Sequence, residues 1–278
     1  MTITDATTVT TSVELNAPVA QAFYVFTAEI GTWWDHDKHI LEAPLAEMVF
    51  EPFVGGHIID RGTDGSECRW ARVLAYEPPA DEQPGLVRFS WDITIDWQIE
   101  TDPARASEVE IAFTALGPAT TQVVLTHRYL DRHGEGWEEM RDAVAGGWTL
   151  APLGERIDQA RRVAGRELPV ISDETMRERL AGTAAYTAVL LRTTSAYSRP
   201  AVNPIIWEHG RRNMALAEAG LLPAVFPVMD DSTLAGIGVF AASAEDTAVI
   251  LDDDPGVRAG IFSYEMHPVR GFPGAAVP

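Results

Sequence analysis

Residues 251–264 read LDDDPGVRAGIFSY. Asp254 stands before Pro255-Gly256, where a short acidic side chain opens a turn by accepting backbone N–H bonds. The apolar run GIFSYEMHP that follows predicts a strand. Just upstream, Ser243 opens a helix and Asp246, three residues on, completes a capping box. Further back, PIIWEHGRRNMALAEAG predicts another helix, with Asn203 as its cap, Pro204 at its first position and Gly220 past its end. On that helix His209 lines up with Ile205 and Leu216 and so points toward a sheet or a cleft beside it. AYTAVLLR, LLPAVFPVM and LAGIGVFAA read as three further strands, the last two joined through Asp230-Asp231. The order is βαββαβ, which predicts a ferredoxin-like fold with both helices on one face of a four-stranded sheet.

The N-terminal half reads differently. Residues 8–15 predict a strand, and Asn16 caps a helix that has Pro18 just inside it and ends at Gly31. TWWDHDKHI follows as an aromatic, charged loop. Short strands are expected at 47–54, 57–62 and 67–76, with a Gly55-Gly56 turn between the first two. In residues 91–100, Trp91, Ile93, Ile95, Trp97 and Ile99 alternate with polar residues, which predicts a strand with one buried face. Residues 107–116 and 121–130 form two more strands around Gly117-Pro118. From 137 to 162 the spacing of Trp137, Met140, Val144, Trp148 and Ala151 is helical. Gly146-Gly147 and Pro152 interrupt that pattern and predict a kink or a break. A strand, a helix, an antiparallel run and a long final helix make a helix-grip architecture. The class is therefore α+β, with a helix-grip domain over 1–163, a linker carrying a short helix over 164–182, and a ferredoxin-like domain over 183–278.

The 278-residue chain carries a net charge of −20. Before Gly165 there are 27 acidic and 12 basic residues, leaving −5 for the remainder. Such a surface repels phosphate backbones and anionic bilayers, so neither nucleic acid nor membrane is an expected partner. Cys68 is the single cysteine, which rules out an intramolecular disulfide and a cysteine zinc site. No secretory leader pattern and no spanning apolar run is evident, so a cytoplasmic location is expected.

The opening NAPVAQAFYVFT, the WW pair, EPFVGG, WARVLAYEPP, VRFSWDI and HGEGWEEM resemble the START-like (SRPBCC) superfamily and its Aha-type branch, over residues 8–163. That resemblance implies a curved sheet closed over a long helix, with an internal cavity for an apolar ligand. Residues 184–272 resemble the YciI-like family of dimeric α+β barrels. The family's histidine falls on His209, and its Asp-Pro…Ala-Gly motif on Asp254, Pro255, Ala259 and Gly260. The Gly-Pro usual after the first helix is replaced by Leu222-Pro223-Ala224. This second resemblance implies a His–Asp pair, cofactor-free eliminations, isomerisations or hydrolyses, and a homodimer formed through the C-terminal domain.

His209 and Asp254 are the catalytic candidates, the imidazole moving a proton and the carboxylate orienting it. Arg192 and Tyr264 are expected to line the same cleft. In the first half Trp33 and Trp34 are placed at a cavity mouth, with Trp70 and Trp91 as aromatic wall. Arg72, sharing a strand face with Trp70 and Leu74, and His127, sharing one with Val123, Leu125 and Tyr129, are the polar groups expected to orient a ligand. Asp35, His36, Asp37 and His39 have no recognised metal spacing, so no metal is expected, and no phosphate or dinucleotide loop is present. Three readings follow: a cofactor-free proton-transfer enzyme acting on a small aromatic or apolar metabolite; a non-catalytic binder of such a ligand whose second half is a dimerisation module; and a co-chaperone-like or regulatory protein.

Overall fold

In the computed structural model, which describes residues 2–80, 83–198 and 202–274, an eight-stranded antiparallel sheet carries the first part of the chain. Its strands are β1 (Thr2–Asp5), β2 (Thr8–Leu15), β3 (Leu45–Phe50), β4 (His57–Gly62), β5 (Glu67–Glu77), β6 (Gly85–Trp91), β7 (Ser107–Gly117) and β8 (Thr120–Arg128). Their order is β1-β2-β8-β7-β6-β5-β4-β3. Helices α1 (Val19–Ala28) and α2 (Ile30–Trp33) link β2 to β3. After β8, a 3-10 turn leads into α3 (Trp137–Gly147) and α4 (Ala151–Ala160). Alternation produces the buried face: Val109, Ile111 and Phe113 of β7 and Val123, Leu125 and His127 of β8 are all buried. Phe23 and Phe26 of α1 meet Phe113 edge-on, with ring centroids 5.2 and 5.4 Å away. Leu153 and Ile157 of α4 complete the same core. Register shifts between β3 and β4, β4 and β5, and β5 and β6 mark bulges, which bend the strands and curl the sheet into a half-barrel over the helices.

Two expectations for this half are corrected. Residues 91–100 are not a continuous strand. The chain leaves β6 at Trp91 and folds back in a pinched hairpin, with Ile93 bridging Ile99 and Trp97 in a left-handed conformation (φ 59°). Alternation survives within each arm, because cross-strand partners share a face, and this is why the pattern imitates one longer strand. Asn16 does not cap α1. Pro18 holds the cap position, and no side chain accepts the first free N–H groups. The expected break in the last helix is present between α3 and α4, and Trp148 sits in it with extended backbone (φ −68°, ψ 114°).

Contacts divide the chain into two units, Met1–Met176 and Arg177–Pro278. Between α4 and the second sheet the chain forms a small hairpin, β9 (Arg162–Val163) with β10 (Arg166–Glu167), and a helix, α5 (Asp173–Ala181). The second unit contains β11 (Ala184–Thr193), α6 (Asn203–Glu218), β12 (Ala224–Pro227), β13 (Leu234–Phe240), α7 (Ala244–Asp252), the short α8 (Pro255–Arg258) and β14 (Phe262–Gly271). Its sheet order, β12-β13-β11-β14, is fully antiparallel. Thr187, Val189 and Leu191 of β11 bury the face turned to the helices. Ser243 caps α7 by accepting from the Asp246 N–H, as its spacing predicts. Gly220 closes α6 at φ +74°, where a side chain would be strained. Asn203 is the first residue inside α6, and Val202 holds the cap position.

Seven of the eight tryptophans precede residue 165 and report on the first unit. Phe26→Ala removes a ring packed between Trp33 and Phe113. It is expected to lower first-unit stability by about 3–5 kcal/mol, read as an earlier midpoint of tryptophan fluorescence in urea. A shift under about 1 kcal/mol would show that this ring is not a keystone of the core.

Candidate functional sites

In the first unit, Trp34, Trp70, Trp91, Trp97 and Trp148 line a cavity of about 350 Å³. Each comes from a different element. Trp34 follows α2, Trp70 lies on β5, Trp91 ends β6, Trp97 turns the pinched hairpin, and Trp148 fills the break between α3 and α4. Four of the indoles hold one another: Trp34 meets Trp148 edge-on and Trp70 at a tilt, both at 5.7 Å, and Trp91 meets Trp70 and Trp148 edge-on at 5.5 Å. The bulge in β5 makes this geometry. Ile58 pairs with Ala71 and Ile59 with Arg69, so Trp70 has no partner across the ladder and turns inward. Flat aromatic walls and a volume in this range suit a small planar apolar molecule.

The polar groups on this wall are Asp37, Lys38, His39 and Asp60. Asp60 stands out because it is 1% exposed yet carries a carboxyl group. Trp70 Nε1 donates to its Oδ1 at 2.9 Å. Among the described residues nothing in the protein bonds Oδ2, which is left to the cavity. Burial pushes the carboxyl up to about 6, against the opposing pull of the Trp70 hydrogen bond and the charge of His39. An acid poised near neutrality in an aromatic pocket is what general acid–base chemistry uses. Sequence reasoning missed Asp60. The available signal was a carboxylate on the same strand face as the fully buried Ile58. Cys68 lies opposite Asp60 in the ladder, and burial, then the Asp60 charge, raise its thiol to about 11, leaving it a poor nucleophile.

The other expected residues of this unit fall outside the lining. Trp33 is buried in the core, stacked near Phe26, and its Nε1 donates to the Val25 carbonyl at 3.0 Å. Arg72 does not share a face with Trp70, because the bulge breaks the alternation between them. Its guanidinium makes two parallel 2.9 Å bonds to Asp92. His127 is fully buried behind the wall, against Trp91 and Trp148, with burial and the neighbouring His133 holding it down to about 3 and therefore neutral.

The second unit has its own cleft, of about 510 Å³, between α6 and the β11–β13 side of its sheet. His209 and Asn213 of α6 border it, together with Val189, Leu191, Val225 and Phe262. The sequence-predicted pair meets: His209 Nδ1 lies 2.8 Å from Asp254 Oδ2. Asp254 also caps α8, its Oδ1 accepting from Gly256 N at 2.8 Å and Val257 N at 3.2 Å. Burial alone would raise this carboxyl, but the His209 bond and charge and the two N–H groups outweigh burial and hold it below the usual range. Asp254 is thus a fixed anion that places the proton on His209 Nδ1, and Asn213 Nδ2 lies 3.0 Å from the other ring nitrogen. Arg192 and Tyr264 do not border the cleft. Arg192 pairs with Glu265 at 3.2 Å, and the Tyr264 hydroxyl donates to Asp252 at 2.6 Å. Among the described residues, no three or more His, Cys, Asp or Glu side chains gather as a metal site, and no helix is long and apolar enough to cross a membrane.

No known family pattern and no curated protein matches the chain. Solved structures do. An anthrahydroquino-γ-pyrone synthase, Txn09, is 34% identical, with a TM-score of 0.40, over 54% of this chain and 98% of its own. The self-sacrificing resistance protein CalC from Micromonospora echinospora is 22% identical, with a TM-score of 0.41, over 56% of this chain and 96% of its own. A protein from Nitrosomonas europaea is 13% identical, with a TM-score of 0.40, over 58% of this chain and 99% of its own.

Two predictions follow from Asp60. Its carboxyl carbon in NMR should titrate near pH 6, and Trp70→Phe, which removes a bond that favours the anion, should move the midpoint up. A midpoint near the usual carboxylate value would mean that the site is wet and Asp60 ordinary. Because the folded carboxyl holds its proton more tightly than the unfolded one, its ionisation costs stability. That cost is absent below about pH 4 and complete above about pH 6. Thermal unfolding of Asp60→Asn should lack this decline between pH 4 and 7, and an unchanged decline would assign it to other groups.

Proposed function

We propose that the protein is a cofactor-independent enzyme that moves protons on a small aromatic or apolar metabolite held in the tryptophan cavity of its first unit. The reaction class is elimination, isomerisation, cyclisation or hydrolysis. In this reading the first unit is a START-like helix-grip domain and the second a YciI-like one. The observation that carries the proposal is Asp60, a buried carboxyl with one free oxygen on an indole wall, which burial pushes up to about 6. Protonated, it donates to a carbonyl oxygen of the bound molecule. Ionised, it takes a proton from an acidic carbon or hydroxyl. The indoles exclude water, which strengthens both steps, since charge interactions grow as the local dielectric falls.

A second reading rests on a separate observation. The His209–Asp254 pair has the orientation of a base and its positioning carboxylate. It suits the same class of chemistry in the second cleft once the Asn213 amide moves aside. The second unit's sheet also has a face turned away from Val189 and Leu191. Leu190, Ile237 and the exposed Phe226 meet there in register. This favours a homodimer formed through the C-terminal unit.

The test uses 2-tetralone, a flat bicyclic ketone with an acidic carbon, in deuterated buffer. Wild type should accelerate deuterium exchange at that carbon. Asp60→Asn should bind the ketone with similar affinity and lose the acceleration by about 10²-fold or more. Binding without acceleration in wild type would favour the non-catalytic ligand-binding reading. Acceleration lost instead in His209→Gln would move the chemistry to the second unit.

A further inference from the structure

Behind the cavity wall runs a chain of four side chains from four places in the fold. Trp148 Nε1 donates to His127 Nδ1 at 3.1 Å. His127 Nε2 lies 2.7 Å from Ser107 Oγ, and Ser107 Oγ lies 2.7 Å from His133 Nε2. Ser107, His127 and His133 are all buried.

From Trp148 to Ser107 the chain has one possible polarity. An indole N–H only donates, so His127 Nδ1 must be the bare nitrogen. His127 is neutral, so its proton sits on Nε2 and is given to Ser107 Oγ. Ser107 Oγ, with one proton and two lone pairs, also holds His133 Nε2, either by giving it that proton or by accepting from it. His133 Nδ1 is buried and has no partner among the described residues. The His127 tautomer is thus fixed by Trp148, and the constraint starts at the cavity wall.

Trp148 has reason to need fixing. It follows Gly146-Gly147 in a helix break, and a Cβ at either glycine would meet nothing within 4 Å. Crowding therefore does not demand glycine there, and neither residue has positive φ. What glycine supplies is backbone freedom next to a wall residue. Ala143, Val144, Gly147 and Trp148 together form the helix side of the cavity.

We propose that Ser107 and His133, acting through His127, are positioning residues that latch Trp148 as the movable wall of the ligand cavity. The ligand part rests on the cavity reading above, whereas the latch itself is a property of the unliganded protein. Its direct readout is the Trp148 indole N–H in a proton–nitrogen NMR spectrum, assigned by its loss in Trp148→Phe. Wild type should show this resonance downfield, as a hydrogen-bonded indole. Ser107→Ala, although it does not touch Trp148, should move the resonance toward the free-indole position. His127→Asn keeps an acceptor oxygen near the Nδ1 position and should retain the shift better than His127→Gln. Gly147→Ala should leave the resonance in place and slow ligand exchange. In the same samples Ser107→Ala should weaken 2-tetralone binding about three- to tenfold, the worth of one hydrogen bond. A Trp148 resonance unmoved by Ser107→Ala would overturn the latch. If 2-tetralone fails to bind wild type, the cavity reading falls, while the indole shift still decides the latch.

Discussion

Burying a carboxyl group among indoles costs more free energy than one hydrogen bond returns, and the wall of the first unit is arranged around that cost. Trp70 can reach Asp60 only because the β5 bulge turns it inward. The same bulge sends Arg72 away from the cavity toward Asp92. One irregularity in a ladder therefore leaves Asp60 with a neutral indole donor and not a guanidinium. The bulge thus separates a structural ion pair from a group able to exchange protons near neutrality.

The two units solve the problem of a buried carboxylate in opposite ways. Asp254 accepts three hydrogen bonds and sits beside an imidazole, so it stays charged and serves as an anchor. Asp60 accepts one and keeps an oxygen free. A carboxylate that is fully satisfied orients its neighbours, whereas one left partly unsatisfied is available to a substrate. By that criterion the imidazole, not Asp254, is the reactive group of the second cleft. In the first cavity Asp60 is itself the reactive group. The buried histidines behind Trp148 are a third case: held neutral by burial, they shape the wall without exchanging protons with it.

Much of this was legible in the sequence. The βαββαβ order, the Ser243 cap and the broken final helix follow from local periodicity and turn chemistry, whereas the meeting of His209 with Asp254 was expected from the family resemblance. The failures share a cause. A bulge shifts alternation by one residue, a pinched hairpin reverses the chain while keeping it, and neither changes composition, so Arg72 and residues 91–100 were assigned to the wrong geometry. Trp33 and Trp34 are adjacent in sequence, yet one faces the core and the other the cavity, because α2 ends between them. Asp60 was hidden because a single acidic residue in a short apolar strand resembles a solvent-facing position. It shares a strand face with the buried Ile58, but Ile59 on the other face is buried too, so the short strand shows no alternation to mark the inner side. Arg192 and Tyr264 were misplaced because other partners hold them: Glu265, 73 residues from Arg192, and Asp252 at the end of α7, which takes the Tyr264 hydroxyl.

The most direct test of the central claim is the pH dependence of kcat/KM for deuterium exchange into 2-tetralone, in wild type and in Asp60→Asn. The account predicts an inflection near pH 6 in wild type and its disappearance, with most of the rate, in the variant. A wild-type profile without that inflection, or an Asp60→Asn variant that retains both the inflection and the rate, would contradict it.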